Sequence, residues 1–282
     1  MVKFNNFCFC TLAIGSRYIN LALLLADDLA KYSPEINFIV LTDNPKQFKN
    51  KPNVIPYLHY PQSCKFYNDK RFVIAKSLNL YESCIYIDAD MRLLATVPEN
   101  LNFVPGIIAY SSCNIAKINK TDDKKLDLIR NICQKSSLDI SQVKFIQEFL
   151  FYVTRHENIQ EFFRQWEILA GYFELKGYYA GEGNIIGLAA ALARVPIEHD
   201  YDKKLLIFKD RIELVKQQNH QLVIDKLYKY LEEQRKYEHP QRNILEKIQD
   251  KISNTLSFNL RKWRLKVNTI KYSDIYSHLD KY

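Results

Sequence analysis

The sequence predicts an α/β fold: a mostly parallel central sheet with helices on both faces, followed by a basic helical C-terminal extension. Three observations carry that expectation. Short apolar runs alternate with helix-period segments through the first half of the chain. Polar residues follow those runs directly, at the strand ends where an open parallel sheet gathers its ligands. The charge is also uneven. Residues 1–202 carry 22 basic and 22 acidic side chains and residues 203–282 carry 18 and 10, so the last stretch holds the whole excess of +8.

Each element has its own warrant. Residues 7–14 (FCFCTLAI) form an apolar run without alternation, as a strand covered on both faces would. Residues 18–32 (YINLALLLADDLAKY) place apolar side chains at helical spacing, and Ser33-Pro34 stops that helix. Residues 37–42 (NFIVLT) predict a second strand, closed by Asp43-Asn44-Pro45. A helix over 70–80 and a third strand over 84–87 (CIYI) follow. Beyond them, 106–111 and 144–153 read as strands and 158–173 as an aromatic-rich helix. Gly181 opens a small-residue helix that ends before Pro196, and from 203 the pattern is helical and rich in Lys, Arg and Gln. The expected organisation is one domain over 1–202 with the extension, 203–282, packed on it.

Composition narrows the function. A hydrophobic fraction of 47% and an aromatic fraction of 13% support a sizeable core. With only seven glycines and neither GxGxxG nor a Walker-type loop, a glycine-rich phosphate cradle is not the central device. The six cysteines, at 8, 10, 64, 84, 113 and 133, include no CxxC pair, which favours reduced thiols and a cytoplasmic setting. Asn5-Asn6 precedes the first apolar run, so the N-terminal stretch reads as a strand rather than a signal peptide. The longest apolar run, 21–26, falls far short of the ~18–20 residues a membrane helix needs.

The chemistry concentrates in CIYIDADMRL, residues 84–93. A buried strand there delivers two carboxylates, Asp88 and Asp90, at i and i+2. Such a pair can share a hard divalent cation whose other positions are filled by diphosphate oxygens and water. The cation would neutralise charge growing on a departing diphosphate. The competing reading is a strand-end turn in which Asp side chains cap backbone amides. Thr11 and Thr42-Asp43 stand at the corresponding ends of the first two strands. Glu148, inside the apolar FIQEFLF, is costly there unless it is paired or exposed on one face.

The stretch from Lys70-Arg71 through Asp88-Ala89-Asp90-Met91-Arg92-Leu93 resembles the GT-A fold glycosyltransferases, closest to the retaining glycogenin-like and galactosyltransferase-like families. The resemblance implies a Rossmann-like sheet and a reaction that moves a sugar, with retention, from a nucleotide sugar to a hydroxyl acceptor. UDP-sugar is the favoured donor, and the acceptor is a glycan, a lipid-linked molecule or a small molecule. In those families a basic residue precedes the motif by about 17 positions and reaches the donor. Arg71 stands 17 before Asp88. Thr11, Ala13 and Tyr18 fall where the base is held, with Asp43 and Ala89 beside the nucleotide sugar. Glu182, in Gly181-Glu182-Gly183-Asn184, matches a polar segment near the anomeric carbon. It would stabilise an oxocarbenium-like centre or attack it transiently. Gly181 and Gly183 depart from the family pattern, and Gly183 would let substrate approach the backbone. Glu148 would bind the donor or acceptor sugar. Asp88 and Asp90 would hold Mn²⁺ or Mg²⁺ with His199 as third ligand. The family's HxxGxxKPW context is missing, however, and Asp200 or Asp202 could substitute.

The tail run Arg261-Lys262-Trp263-Arg264-Leu265-Lys266 suits either a solvated helix face or an anionic membrane surface, which would place the protein at the inner membrane face. No nucleic-acid motif accompanies it, so no nucleic-acid partner is expected. Three rivals remain. A haloacid-dehalogenase-type phosphatase also uses hhhhDxD, but Met91-Arg92 follows the motif here. A nucleotidyltransferase would carry a Gly-rich, Lys-containing N-terminal loop, which LAIGSRY barely resembles. A degenerate GT-A domain would serve as a binding or scaffold subunit.

Overall fold

The computed structural model describes residues 6–208, 224–238 and 244–280, so part of the expected C-terminal extension lies outside the described residues. The elements run β1 Phe7–Ala13, α1 Gly15–Tyr32, β2 Phe38–Thr42, β3 Val54–Leu58, α2 Lys70–Leu80, β4 Ser83–Ile87 and β5 Arg92–Leu93. Next come β6 Gly106–Ala109, β7 Ser112–Asn114, α3 Ile115–Ile118, α4 Asp123–Lys135, β8 Lys144–Ile146, β9 Leu150–Thr154, α5 Ile159–Leu175, α6 Glu182–Ala193 and β10 Ile197–His199. The last are β11 Ile207–Phe208, α7 Ile224–Glu238, α8 Ile244–Asn268 and α9 Ser273–Asp280. Seven strands make up the mostly parallel central sheet, so the α/β class read from the sequence is borne out.

The chain separates into two compact units. One comprises Met1–Tyr60, Phe72–Asn102 and Asp202–Lys251, and the other Pro61–Arg71, Phe103–Tyr201 and Ile252–Tyr282. In the first, β4, β1, β2 and β3 lie side by side in that order, every pair parallel. All residues of β1, β2 and β4 are buried, which is why these strands read as unbroken apolar runs. The helix α1 turns Leu21, Leu25 and Leu29 inward. It starts three residues before the helical periodicity suggested. Gly15 adopts φ +79°, the left-handed region, and donates its N–H to both carboxylate oxygens of Asp43 at 3.1 and 3.2 Å. The strand β3 has no counterpart among the predicted elements. Pro56 interrupts its pattern, and β3 tolerates that proline because it is an edge strand. Elsewhere in this unit β5 pairs antiparallel with β11, and Leu94, Phe208, Leu227 and Tyr230 form a separate apolar cluster.

In the second unit β6 is flanked by β10, parallel, and β9, antiparallel. The strand expected over 144–153 is in fact two. β8 pairs antiparallel with β7, whereas β9 joins the central sheet, and Gln147 to Phe149 turn between them. Glu148 therefore sits in a turn rather than inside a strand. The helix α6 is buried almost all round and packs against α5 and β8. Two glycines permit the close approach to β8. A Cβ at Gly187 would lie 1.7 Å from the Lys144 carbonyl oxygen, and one at Gly183 would lie 2.0 Å from that of Ile146. Gly187→Ala is accordingly expected to lower stability by about 2–3 kcal/mol through overpacking, measured as a shift of the urea midpoint at unchanged slope.

Candidate functional site

The parallel register of the first unit brings the predicted residues to one edge. Ala13 is level with Thr42 at the carboxyl ends of β1 and β2, and Cys10 is level with Tyr86, so Asp88 leaves β4 beside the end of β1. Asp43 follows β2 directly and caps the start of α1 with its carboxylate. It also lines an open recess of about 390 Å³ with Ser16, Ile19, Asn20, Asn44 and Gln47. Tyr18 is half-buried in the first turn of α1, with the Arg17 guanidinium 5.3 Å from its ring centroid. Thr11 lies two residues inside β1, fully buried, and its hydroxyl oxygen has no hydrogen-bond partner among the described residues.

The Asp88-Ala89-Asp90 segment forms a turn between β4 and β5, closed by the Met91 N–H donating to the Asp88 carbonyl at 3.0 Å. The Tyr86 hydroxyl donates to Asp88 Oδ1 at 2.9 Å, and Gln234 Nε2, from α7, donates to the Asp90 carbonyl at 2.6 Å. Two residues on, the Arg92 guanidinium forks onto buried Asp28 at 2.6 and 2.9 Å, while the Leu93 N–H adds a third bond to that carboxylate at 3.1 Å. Arg92 also lies 3.8 Å over the Tyr230 ring and bonds Glu233 at 3.0 Å. Burial disfavours its charge, but the bonds and charge of Asp28 outweigh burial and hold the Arg92 pKa above its usual value. The turn carrying the two carboxylates is therefore clamped from β4, β5 and α7.

The second unit gathers a different set. Glu182 opens α6 behind Gly181, whose φ of +85° again requires glycine. Its carboxylate pairs with Lys70 Nζ at 2.6 Å, each side chain being 5% exposed. The same Nζ donates to the Glu148 carbonyl at 3.1 Å. The basic residue brought against Glu182 is thus Lys70, not Arg71. The Arg71 guanidinium is buried, donates to the Asn68 carbonyl at 2.8 Å and lies 3.9 Å from Asp69, with burial lowering its pKa. Lys70 escaped sequence reasoning because two adjacent basic residues at a helix start look alike until their partners are known. The close approach expected at Gly183 is filled by the chain's own 145–148 segment, with Glu148 Oε2 2.8 Å from where a Cβ would stand. Beside it Asn184 Oδ1 accepts from Asn119 Nδ2 at 2.6 Å.

His199 ends β10, level with Ala109. The Ser112 N–H donates to its Nδ1 at 3.2 Å, and its ring lies tilted against that of Tyr201, with centroids 4.7 Å apart. The Tyr152 hydroxyl donates to Asp200 at 3.4 Å. Burial first, then the charge of Asp200, push that phenol up.

Among the described residues, no group of three or more His, Cys, Asp or Glu side chains is placed to hold a metal ion. The donor chemistry of Asp88 and Asp90 nonetheless fits Mg²⁺ or Mn²⁺. Both supply hard carboxylate oxygens from one stiff turn, and such ions ordinarily complete their shells with water and phosphate oxygens. The six cysteines carry free thiols. Cys64 is pushed up to about 12 by burial and then by Glu174, too far to be a nucleophile at neutral pH.

No family model matches the chain, and no curated protein matches it. Among solved structures it is similar to the WbbM bifunctional glycosyltransferase in apo form, with a TM-score of 0.43 and 10% identity over 71% of this chain and 39% of that one. It is also similar to the galactosyltransferase LgtC in complex with donor and acceptor sugar analogues, with a TM-score of 0.45 and 10% identity over 68% of this chain and 72% of that one. The chain thus spans about two fifths of the length of WbbM.

Proposed function

We propose that this protein is a metal-dependent glycosyltransferase that moves a sugar from a nucleotide-diphosphate sugar, a UDP-sugar in the first instance, to a hydroxyl acceptor with retention of configuration. The observation that carries the reading is the clamped turn at the carboxyl edge of the parallel strands, where Asp88 and Asp90 leave β4. Asp88 and Asp90 would hold Mn²⁺ or Mg²⁺. When bound, the ion supplies charge neutralisation for a diphosphate leaving group. Tyr86 orients Asp88, and Gln234 fixes the backbone of Asp90. Asp43 and the recess it lines, with Tyr18 nearby on α1, offer polar groups and an aromatic face suited to a base. In the second unit, Lys70 pairs with the Glu182 carboxylate and orients it, as a carboxylate serving an oxocarbenium-like centre would need.

Incubating the full chain with a panel of nucleotide sugars and Mn²⁺, and following release of free nucleoside diphosphate, tests the reading. Release with one donor supports it. A folded protein that binds no nucleotide in the presence of Mn²⁺ sinks it, and metal-dependent nucleotide binding without release favours the scaffold reading. Tyr86→Phe, which removes one hydrogen bond to Asp88, is expected to weaken Mn²⁺ binding by about tenfold in calorimetric titration, the usual effect of an outer-shell partner.

A further inference from the structure

The helix α8 presents an apolar stripe outward. Ile252, Leu256, Leu260, Trp263, Val267 and Ile270 follow one another at steps of four, four, three, four and three, and each is 45–67% exposed. The last of them stands in the single turn Thr269–Tyr272 that continues the helix. From Ile252 to Ile270 the stripe is about 27 Å long. The opposite face is committed inward. Leu265 and Thr269 are buried, and Phe258 meets Tyr179 edge-on at 5.2 Å. Arg261 Nε donates to the Cys64 carbonyl at 2.9 Å. The rotation of the helix is therefore set by packing, and the stripe is left facing water.

The charge beside the stripe says what would cover it. Lys262, Arg264 and Lys266 are exposed along its flanks, and between Asp250 and Asp274 the chain has no acidic residue. A second copy of this helix would set basic flanks against basic flanks with no acid to pair, which opposes self-association. An anionic lipid surface satisfies both features. Its acyl boundary takes the apolar side chains, its headgroups take the lysines and arginine, and a tryptophan at that depth suits an amphipathic ring. No described helix is long and apolar enough to cross a membrane. We propose that the outward face of α8 from Ile252 to Ile270 lies in the interface of an anionic bilayer and holds the protein peripherally on it. This inference stands independently of the transferase reading.

The test uses the full chain with vesicles of phosphatidylcholine alone or of phosphatidylcholine mixed with phosphatidylglycerol, read by co-sedimentation and tryptophan emission. Trp166 is fully buried, so a blue shift on mixing reports Trp263. The expected result is binding to the anionic vesicles with a blue shift, weakened by salt. Lys262→Gln/Arg264→Gln/Lys266→Gln should lower the partition coefficient by about 100-fold, from roughly fivefold per lost headgroup attraction compounded over three residues. Leu256→Gln/Trp263→Ser should abolish the shift. Both variants alter exposed side chains, and an unchanged circular dichroism spectrum confirms that they fold. Absence of binding to either vesicle overturns the proposal. So does equal binding to neutral and anionic vesicles, or a concentration-dependent dimer whose formation leaves Trp263 indifferent to lipid.

Discussion

Asp88→Asn is expected to leave a folded protein whose donor-dependent release of nucleoside diphosphate falls by about 10³-fold, with Asp90→Asn close behind. The carboxylates occupy one turn and accept different bonds. The Asp88 side chain takes the Tyr86 hydroxyl, while Asp90 is tied through its backbone carbonyl to Gln234. Replacing either acid by its amide keeps shape and hydrogen bonding but removes one charge from the pair. A hard divalent cation then loses one of two anionic donors, and stabilisation of a leaving diphosphate falls by several kcal/mol, which is three decades in rate or more. Activity, thermal unfolding and Mn²⁺ titration in the presence of UDP should be measured together. Lost activity with an unchanged melt and at least tenfold weaker Mn²⁺ binding is the expected pattern. Full activity in Asp88→Asn would remove the foundation of the transferase reading.

Arg92→Met should cost about 3–5 kcal/mol of stability, a drop of roughly 10 °C in Tm for a chain of this size. The methionine would leave the Asp28 carboxylate buried without the guanidinium fork, held by the Leu93 N–H and the Tyr230 hydroxyl but facing no cation. It would also remove the cation lying on Tyr230. The exposed end of the network, Glu233, contributes little by comparison because water screens it. The double variant Arg92→Met/Asp28→Leu should recover much of the loss, since replacing both charges with apolar groups leaves nothing uncompensated. If the single variant melts within about 1 °C of the parent, the fork is not what holds β5 to α1.

Much of the candidate site's edge was legible in residue order. A run such as CIYI, short, with β-branched and aromatic residues, reads as a buried strand, acids following it emerge at its open end, and parallel neighbours put Ala13, Thr42 and Asp88 on one side. The start of α6 at Gly181-Glu182 was equally plain, because Gly181 opens a run of small residues that continues to Pro196, while its left-handed φ is visible only in the structure. Other features were hidden by local ambiguity. Pro56 masked β3, since only an edge position makes that proline harmless. The apolar stretch 144–153 gave no sign that its two halves serve different sheets.

The placement of charge was settled later, by packing. Lys70 and Arg71 are adjacent, equally basic and share one helix turn, yet one is pressed against Glu182 and the other folds back on Asn68. In the tail, Arg261 and Trp263 are two residues apart in a run that reads as uniformly basic, and rotation of α8 sends the first inward and the second out. Period and polarity are properties of a segment and can be read in one dimension. Which partner neutralises a buried ion, and which side of a helix stays wet, depends on what lies across a gap of a few ångströms. That neighbour usually comes from a distant part of the chain.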